Sequence, residues 1–192
     1  MELKGPVFLM QPIPYFGEKL KGSWIVEPKI DGWRLQIIKY QNGKIEYWGR
    51  RLEKNPNWSE NLKYLNNSLE KIPNGTLLDA ELYSTKGRRG IPSVIRKTGK
   101  ARPLIFVFDV IFYKGEFVGN KKLKERKKIL EKLKFKKPFL ILPFEKLENL
   151  ERAMKNAAKK GYEGVILKDL NSKYEISFEA PTATSHWRKI KF

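Results

Sequence analysis

Five short apolar runs, each with charged residues beside or inside it, are spread along almost the whole chain. Runs of this length are typical of β-strands, in which alternate side chains share one face. One such run would carry little information, but five in one chain indicate strands that carry chemistry as well as a core. The runs are Glu27–Arg34, Leu78–Leu82, Phe106–Val110, Glu163–Lys168 and Trp187–Lys191.

Turn signals divide the first part of the chain into short strands. Ser23–Val26, Trp33–Tyr40 and Ile45–Trp48 are strand-like, and the Asn-Gly pair at residues 42 and 43 is typical of a hairpin turn. We therefore expect an antiparallel meander, with Lys29 in the bend between its first two strands. A near-continuous apolar run over Leu104–Tyr113 predicts a central strand.

The spacing of apolar residues predicts three helices. They cover Pro56–Leu69, Lys121–Lys137 and a segment from Leu147 that Gly161 stops. For Lys121–Lys137, a solvated lysine face over a core stripe is favoured over a dedicated binding helix. The basic segment Thr85–Arg102 is interpreted as a loop with a short helix.

The charge balance indicates a polyanionic partner. The chain has 192 residues, with 40 Lys and Arg against 21 Asp and Glu, and a formal net charge of +19 at pH 7. A domain this basic usually binds nucleic acid. The competing interpretation is that the surface lysines only confer solubility. With 41% apolar residues, the chain has enough material for one folded domain over residues 1–192.

Residue types that are scarce exclude several kinds of catalytic centre. The chain has no cysteine and a single histidine, His186. This excludes a Cys nucleophile and leaves little room for a His-based metal centre or a Ser-His-Asp triad. Catalysis must therefore come from Lys, Arg, Asp and Glu. Neither a leader nor an apolar run of roughly 18 residues is visible, so we expect a soluble, intracellular protein with no membrane partner.

Lys29 is the leading candidate for a nucleophile. Pro28 holds the chain extended before it, and Gly32 relaxes the backbone just after it. The nearby cation of Arg34, together with partial burial, would favour a neutral amine at Lys29. A neutral amine is a nucleophile, whereas an ammonium is not. The alternative is an ordinary surface lysine.

Two further pairs suit phosphate and cation chemistry. Asp79 and Glu81 lie two apart on a predicted strand, so both face one side. A carboxylate pair suits Mg²⁺ or a ribose hydroxyl, and a structural salt bridge is the alternative for Glu81. Lys189 and Lys191 also share a strand face, which is costly unless an anion lies between them. This pair supports phosphate binding.

In residue types and in order, the five runs resemble the motifs of the covalent nucleotidyltransferases. They are most similar to the nucleotidyltransferase (adenylation) domain of ATP-dependent DNA ligases, from Glu27 to Lys191. The resemblance implies an α+β fold with two mostly antiparallel β-sheets and flanking helices, described as ATP-grasp-like. It places the nucleotide in the cleft between the sheets.

The resemblance also implies roles for individual residues. Lys29 matches the lysine that attacks the α-phosphate of ATP and then holds AMP through a phosphoramidate bond. Glu27 matches the position that contacts the adenine amine, and Phe108 the ring that stacks on adenine. Arg34 matches an arginine that contacts the nucleotide or the DNA 5′-phosphate. Phosphate contacts are also expected from Arg50, Lys168, Lys189 and Lys191, and the metal ligands are expected to be Glu81 and Glu163.

The implied cycle has three steps. The lysine is adenylated, AMP passes to the 5′-phosphate at a nick, and the 3′-hydroxyl displaces AMP. The implied cofactors are ATP and Mg²⁺ or Mn²⁺. The expected partner of a monomeric enzyme is nicked double-stranded DNA, with an RNA-containing duplex as an alternative.

The resemblance has departures that leave alternatives open. Gly49 stands where the family usually has Ser, so the phosphate clamp is Arg50 or Arg51, and Ala80 replaces a glycine. The family usually continues into an OB-fold, whereas the sequence stops at Phe192. We therefore expect no OB-fold in this chain, which is a truncated domain, a minimal ligase or one subunit beside a separate OB-fold or clamp partner. An RNA ligase, a capping-type nucleotidyltransferase and a non-catalytic nucleic-acid-binding relative are the rival functions.

Overall fold

Thirteen strands form two main sheets and a small third sheet in the computed structural model, which describes residues 1–192. The strands are β1 (Phe8–Leu9), β2 (Gln11–Pro14), β3 (Trp24–Lys29), β4 (Trp33–Lys39), β5 (Ile45–Gly49), β6 (Thr76–Ser84), β7 (Pro103–Tyr113), β8 (Glu116–Phe117), β9 (Phe139–Ile141), β10 (Glu145–Lys146), β11 (Gly164–Asp169), β12 (Ile176–Ser177) and β13 (Ala183–Lys191).

The two main sheets are mostly antiparallel. One has five strands in the order β10-β3-β11-β13-β2, and the other has the order β5-β4-β6-β7-β8 with β9 paired to β7. Only the pairs β13–β2 and β7–β9 are parallel. Strand β7 lies inside its sheet and is buried along most of its length, as its continuous apolar run predicts. The predicted α+β class with two mostly antiparallel sheets is confirmed.

Four short α-helices flank the sheets: α1 (Ser59–Leu62), α2 (Ile91–Arg96), α3 (Leu123–Lys132) and α4 (Leu150–Lys159). Three 3₁₀ segments cover Leu52–Lys54, Lys63–Leu69 and Arg88–Gly90. Helix α4 begins where the Asn149 side chain accepts a hydrogen bond from the Arg152 amide at 2.8 Å. None of these helices has the length and apolar character needed to cross a bilayer.

The apolar core has three parts because each main sheet is buried on both faces. Ile37 and Ile38 are adjacent on β4 but belong to different parts, since successive strand residues point to opposite faces. The first part joins the six-stranded sheet to α1, α2 and α3, and the second joins the two sheets. The third packs α4 on the five-stranded sheet through Ala153, Ala157, Val26, Val165 and Leu167.

The early meander predicted from sequence is wrong in one respect. Strands β4 and β5 do form the expected hairpin, but β3 lies in the other sheet, between β10 and β11. The segment Ile30–Gly32 therefore carries the chain from one sheet to the other. Lys29 is the last residue of β3 rather than part of a bend, so the backbone of a sheet positions its side chain.

Two predicted helices are shorter than expected. Only Ser59–Leu62 of the first is α-helical, and Lys63–Leu69 continues as 3₁₀ turns. Helix α3 ends at Lys132, before the lysine-rich end of its predicted range. Its lysine-rich face is also not wholly solvated, because Arg126 and Lys127 are buried against carboxylates.

Arg126 and Asp109 form a fully buried ion pair that ties α3 to β7. Two hydrogen bonds of 2.8 and 3.0 Å join the guanidinium to the two carboxylate oxygens, and both side chains are 0% exposed. Burial alone would raise the pKa of Asp109, but Arg126 holds it below its ordinary value. Removal of one partner would leave the other charge buried and unpaired.

We therefore expect Arg126→Met to lower the free energy of unfolding by about 3–5 kcal/mol. Denaturant unfolding measures the change. Arg152→Met is the matched control, because Arg152 is an exposed arginine on α4 whose ion pair with Glu148 should contribute little. The double variant Arg126→Met/Asp109→Asn should recover part of the loss. Equal stability of the Arg126 and Arg152 variants would contradict the structural role of the pair.

Candidate active site

A cavity of about 760 Å³ opens between the two main sheets and extends to the end of β5. All ten residues to which the resemblance assigns a role line this one cavity: Glu27, Lys29, Arg34, Arg50, Glu81, Phe108, Glu163, Lys168, Lys189 and Lys191. Asp79, the other member of the predicted carboxylate pair, does not line it. The ten residues come from both sheets and from segments up to 164 positions apart. The structure thus brings all ten together, while the role of each residue stays a prediction.

The register of three strands places the basic groups of the five-stranded sheet in rows. Gly164 on β11 lies between Lys29 on β3 and Lys191 on β13. In the adjacent row, Ile166 lies between Glu27 and Lys189. A cross-strand row brings side chains within contact distance on one face. The rows therefore turn lysines that are distant in sequence into neighbours.

Gly164 has a steric reason to lack a side chain. A Cβ atom at this position would lie 1.9 Å from the Ile190 carbonyl oxygen, well inside van der Waals contact. This glycine is thus required by the packing of β11 against β13.

Glu163 holds the two flanking lysines together. One carboxylate oxygen accepts a hydrogen bond from Lys29, and Lys191 Nζ lies 2.6 Å from the other. Burial would raise the pKa of Glu163, but the hydrogen bonds from Lys191 and Lys29 lower it below its ordinary value. Glu163 is therefore a carboxylate that neutralises two cations in the cavity.

The hydrogen bonds of Arg34 go to groups other than Lys29. Its guanidinium donates two hydrogen bonds of 2.5 Å to Asp79, one of 3.0 Å to the Met10 carbonyl and one of 3.3 Å to the Tyr174 hydroxyl. The neighbour of the Lys29 amine is the Glu163 carboxylate. Arg34 still lines the cavity, with its cation fixed by Asp79.

Asp79 and Glu81 share a face of β6, as predicted, but differ in their partners. Asp79 is fully buried and accepts hydrogen bonds from Arg34 and, at 2.6 Å, from Tyr174. Glu81 faces the cavity and has no ion-pair partner, although Arg34 is its neighbour across the sheet. Burial raises the pKa of Glu81 to about 7, more than the nearby Arg34 and Lys29 lower it. Glu81 is therefore the available carboxylate of the cavity.

Glu27 is 1% exposed and lies between two ammonium groups. One oxygen accepts a hydrogen bond from Lys127 on α3, and the other lies 2.7 Å from Lys168 Nζ on β11. The second contact is an ion pair whose geometry is not that of a hydrogen bond. The two lysines compensate the cost of burying this carboxylate.

Aromatic rings form the wall beside these charges. Phe108 and Trp187 contact edge to face, with centroids 6.3 Å apart. The Phe108 ring centroid lies 5.0 Å from the Arg34 guanidinium and 4.4 Å from Lys168 Nζ. Two cations therefore lie next to the Phe108 ring, whose stacking on adenine stays a prediction.

Several cavity residues were missed from the sequence. Trp33 and Trp58 line the cavity with ring centroids 5.6 Å apart, and Arg88 reaches it while bonded to Asp31 at 2.9 Å. A Cβ at Gly49 would lie 2.8 Å from the Trp58 ring, so this glycine leaves room for that side chain. Arg50 and Arg51 both line the cavity, so the choice between them stays open.

The carboxylates of the cavity could bind a divalent cation only together with ligands from substrate phosphates and water. No three acidic or histidine side chains cluster in the structure. Mg²⁺ is commonly held by one or two carboxylates together with substrate phosphates and water. Glu81, which lacks an ion-pair partner, fits that pattern, and Glu163 would first have to release Lys29 or Lys191.

Comparisons with known proteins agree on one family. Residues 9–191 match the family described as ATP dependent DNA ligase domain. The SPbeta prophage-derived DNA ligase-like protein LigB of Bacillus subtilis is 30% identical over 175 residues, which cover 88% of this chain and 61% of that protein. DNA ligase 2 of Korarchaeum cryptofilum is 28% identical over 193 residues, covering 91% and 32% of the two chains.

Solved structures show the same fold. The ligase domain of M. tuberculosis LigD superposes with a TM-score of 0.72 at 21% identity, over 96% of this chain and 59% of that one. By comparison, the chain spans 61% of the length of the LigB relative and 32% of that of DNA ligase 2.

The raised pKa of Glu81 predicts a pH-dependent stability. Between its ordinary value of 4.5 and about 7, the folded protein keeps a proton that the unfolded chain has released. Stability from this group is therefore complete below about pH 4.5 and is lost as the pH rises to about 7. In wild type, this pH rise should lower the free energy of unfolding by on the order of 1–3 kcal/mol. We expect Glu81→Gln to abolish that pH-dependent decrease.

Denaturant unfolding of wild type and variant at about pH 5 and about pH 8 measures this difference. The exposed Glu116→Gln is the matched control and should retain the wild-type pH dependence. A Glu81→Gln protein that loses stability with pH as steeply as wild type would show that Glu81 is not the responsible group.

Proposed function

Since the chain belongs to the ATP-dependent DNA ligase family, we propose that it is the catalytic core of a ligase that adenylates Lys29 and seals nicks in DNA. The observation that carries the proposal is the position of Lys29 at the end of β3, inside a cavity that it shares with Lys189, Lys191 and three carboxylates. An amine surrounded by cations is suited to attack a phosphate, whose charge those cations offset.

In the first step, the neutral amine of Lys29 attacks the α-phosphorus of ATP. The N–P bond forms, the P–O bond to the β-phosphate breaks, and pyrophosphate leaves with the bonding electrons. The Lys29 ammonium first transfers a proton to water or to the Glu163 carboxylate that contacts it, and that contact then breaks. A triphosphate in the cavity offers Lys191 a second anionic partner, which would loosen the shared hold of Glu163 on both lysines.

Two later steps use the same cavity. An oxygen of the 5′-phosphate attacks the phosphorus of lysyl-AMP, and the N–P bond breaks to return Lys29. The 3′-hydroxyl then attacks the activated 5′-phosphate, and AMP leaves as the phosphodiester forms. Lys189, which has no ion-pair partner in the structure, is available for the α-phosphate throughout. Mg²⁺ or Mn²⁺, held by Glu81 and Glu163, would neutralise charge on the phosphate oxygens.

Nicked duplex DNA is the proposed substrate because the chain carries a net charge of +19. Two basic segments are candidates for contact with DNA: residues 86–100, which include α2, and helix α3. The first is the better candidate. Its Arg88 lines the cavity, whereas no exposed lysine of α3 does. The relatives extend beyond the part matched here. We therefore also propose that an OB-fold or a clamp partner closes on the duplex together with this chain.

The proposal predicts a covalent adduct. The intact mass of the protein after incubation with ATP and Mg²⁺ should increase by one AMP, and nicked DNA should discharge the adduct. Lys29→Arg keeps the positive charge but removes the nucleophilic amine, so this variant should show no adduct. Wild type that acquires GMP from GTP instead would support the capping-type alternative. Wild type with no adduct from either nucleotide, and no sealing of pre-adenylated nicks, would contradict the proposal.

The proposed DNA surface predicts a steep dependence of binding on salt. Removing two phosphate contacts with Arg89→Gln/Lys100→Gln should reduce the slope of log K against log salt by about 2. Lys124→Gln/Lys128→Gln on α3 removes the same charge from exposed positions and should change the slope less. Fluorescence anisotropy with a nicked duplex measures both. A larger effect from the α3 pair would move the DNA surface to that helix.

A further inference from the structure

Lys127 is a buried cation with no evident reason to be a lysine if it served only to pack α3. Its side chain is 3% exposed, and it does not line the cavity. Burying an ammonium costs several kcal/mol unless it has close polar partners. An apolar residue would pack α3 against the sheet at lower cost. The reason for a lysine at this position is therefore to be found in its polar contacts, which lie on the cavity wall.

Lys127 contacts both elements that flank the predicted base site. Its ammonium donates one hydrogen bond to a Glu27 carboxylate oxygen and another, of 2.8 Å, to the Phe108 carbonyl oxygen. Glu27 belongs to the five-stranded sheet and Phe108 to the six-stranded sheet. The ring of Phe144 covers the ammonium at 4.7 Å. One cation thus joins the two sheets directly behind the cavity.

Lys168 completes the environment of Glu27 from the cavity side. Its ammonium lies 2.7 Å from the second Glu27 oxygen, 3.9 Å from the Trp187 ring centroid and 4.4 Å from that of Phe108. A carboxylate has about four lone-pair positions, so two lysines leave capacity for a further donor. Both Glu27 oxygens face ammonium groups, so on this wall Glu27 serves as an acceptor.

An acceptor-only group in a base site distinguishes purines by the substituent at position 6. A 6-amino group donates a hydrogen bond to a carboxylate, whereas a 6-oxo group presents a second acceptor and repels it. We propose that Lys127 is a positioning residue for base selection, which holds Glu27 as an oriented acceptor and fixes the backbone that carries Phe108. This inference rests on the proposed adenylyl transfer, and it assigns the preference for ATP over GTP to a residue outside the cavity.

A merely structural role for Lys127 makes a different prediction. Loss of a structural ion pair would lower stability and reduce use of all nucleotides by a similar factor. Loss of an oriented acceptor would reduce use of ATP in particular and leave nucleotides without the 6-amino group nearly unaffected. The ratio between nucleotides therefore separates the two roles, because a general loss of folded protein cancels in it.

The test compares ATP with purine riboside triphosphate, which lacks the 6-amino group, and with ITP, which has a 6-oxo group. Single-turnover formation of the adduct gives kcat/KM for each nucleotide. In wild type, deletion of the amino group should reduce kcat/KM by about 10- to 100-fold, the range for a hydrogen bond to a charged acceptor. In Lys127→Met, removal of the amino group from the nucleotide should reduce kcat/KM by about threefold or less. Lys127→Arg should fall between them.

Lys159→Met is the matched control, since Lys159 is exposed on α4 and lies outside the cavity. It should keep the wild-type ratios. A binding readout without chemistry repeats the comparison with AMP, purine riboside monophosphate and IMP by calorimetry. If Lys127→Met does not fold, Lys127→Gln keeps a neutral donor beside Glu27 and leaves the Glu27–Lys168 ion pair in place. It should show a smaller amino-group dependence than wild type, because an amide holds the carboxylate less firmly than an ammonium does.

The outcomes separate this inference from the proposed function. A wild type that forms no adduct with ATP refutes the adenylyl transfer itself. A wild type that reacts, alongside a folded Lys127→Met protein that keeps the full amino-group dependence, would falsify the positioning role alone. A uniform loss for all three nucleotides would also overturn it, in favour of a structural role.

Discussion

Cations converge on the cleft between the two main sheets, and those that lie deepest in it are held against carboxylates. Glu163 forms ion pairs with Lys29 and Lys191, Asp79 with Arg34, and Glu27 with Lys127 and Lys168. Like charges brought this close would otherwise drive the sheets apart. The arrangement of the strands therefore depends on these pairs as much as on apolar packing, since three of the carboxylates link different strands or different sheets.

The pairs differ in how readily a phosphate could replace the carboxylate. Asp79 and Glu27 are buried, and their partners have further fixed contacts, so these pairs support the cavity wall. Glu163 is partly exposed, and Lys191 is 61% exposed at the cavity rim. An anionic substrate could compete for that lysine at little structural cost. The same kind of contact thus serves as a permanent support in the interior and as an exchangeable one at the rim.

Much of the site could be predicted from the sequence because its residues lie in short strand motifs. Charged residues beside strand-like runs identified Lys29, Glu81, Glu163, Lys189 and Lys191, and all of them line the cavity. Lys127 could not be found in this way. On a helix with many lysines it has no local feature that separates it from its neighbours, and its partners Glu27 and Phe108 lie 100 and 19 positions away.

The sequence by itself determined the class of fold, the family and the set of charged groups that line the cleft. Alternation along strands and residue type are local properties, and they survive without knowledge of which strands pair. Tertiary structure alone decided that β3 leaves the early hairpin for the other sheet, and that Glu163 rather than Arg34 contacts Lys29. It also decided that Lys127 is buried. Each of these depends on register between distant strands and on desolvation, and neither is encoded in any short segment of the chain.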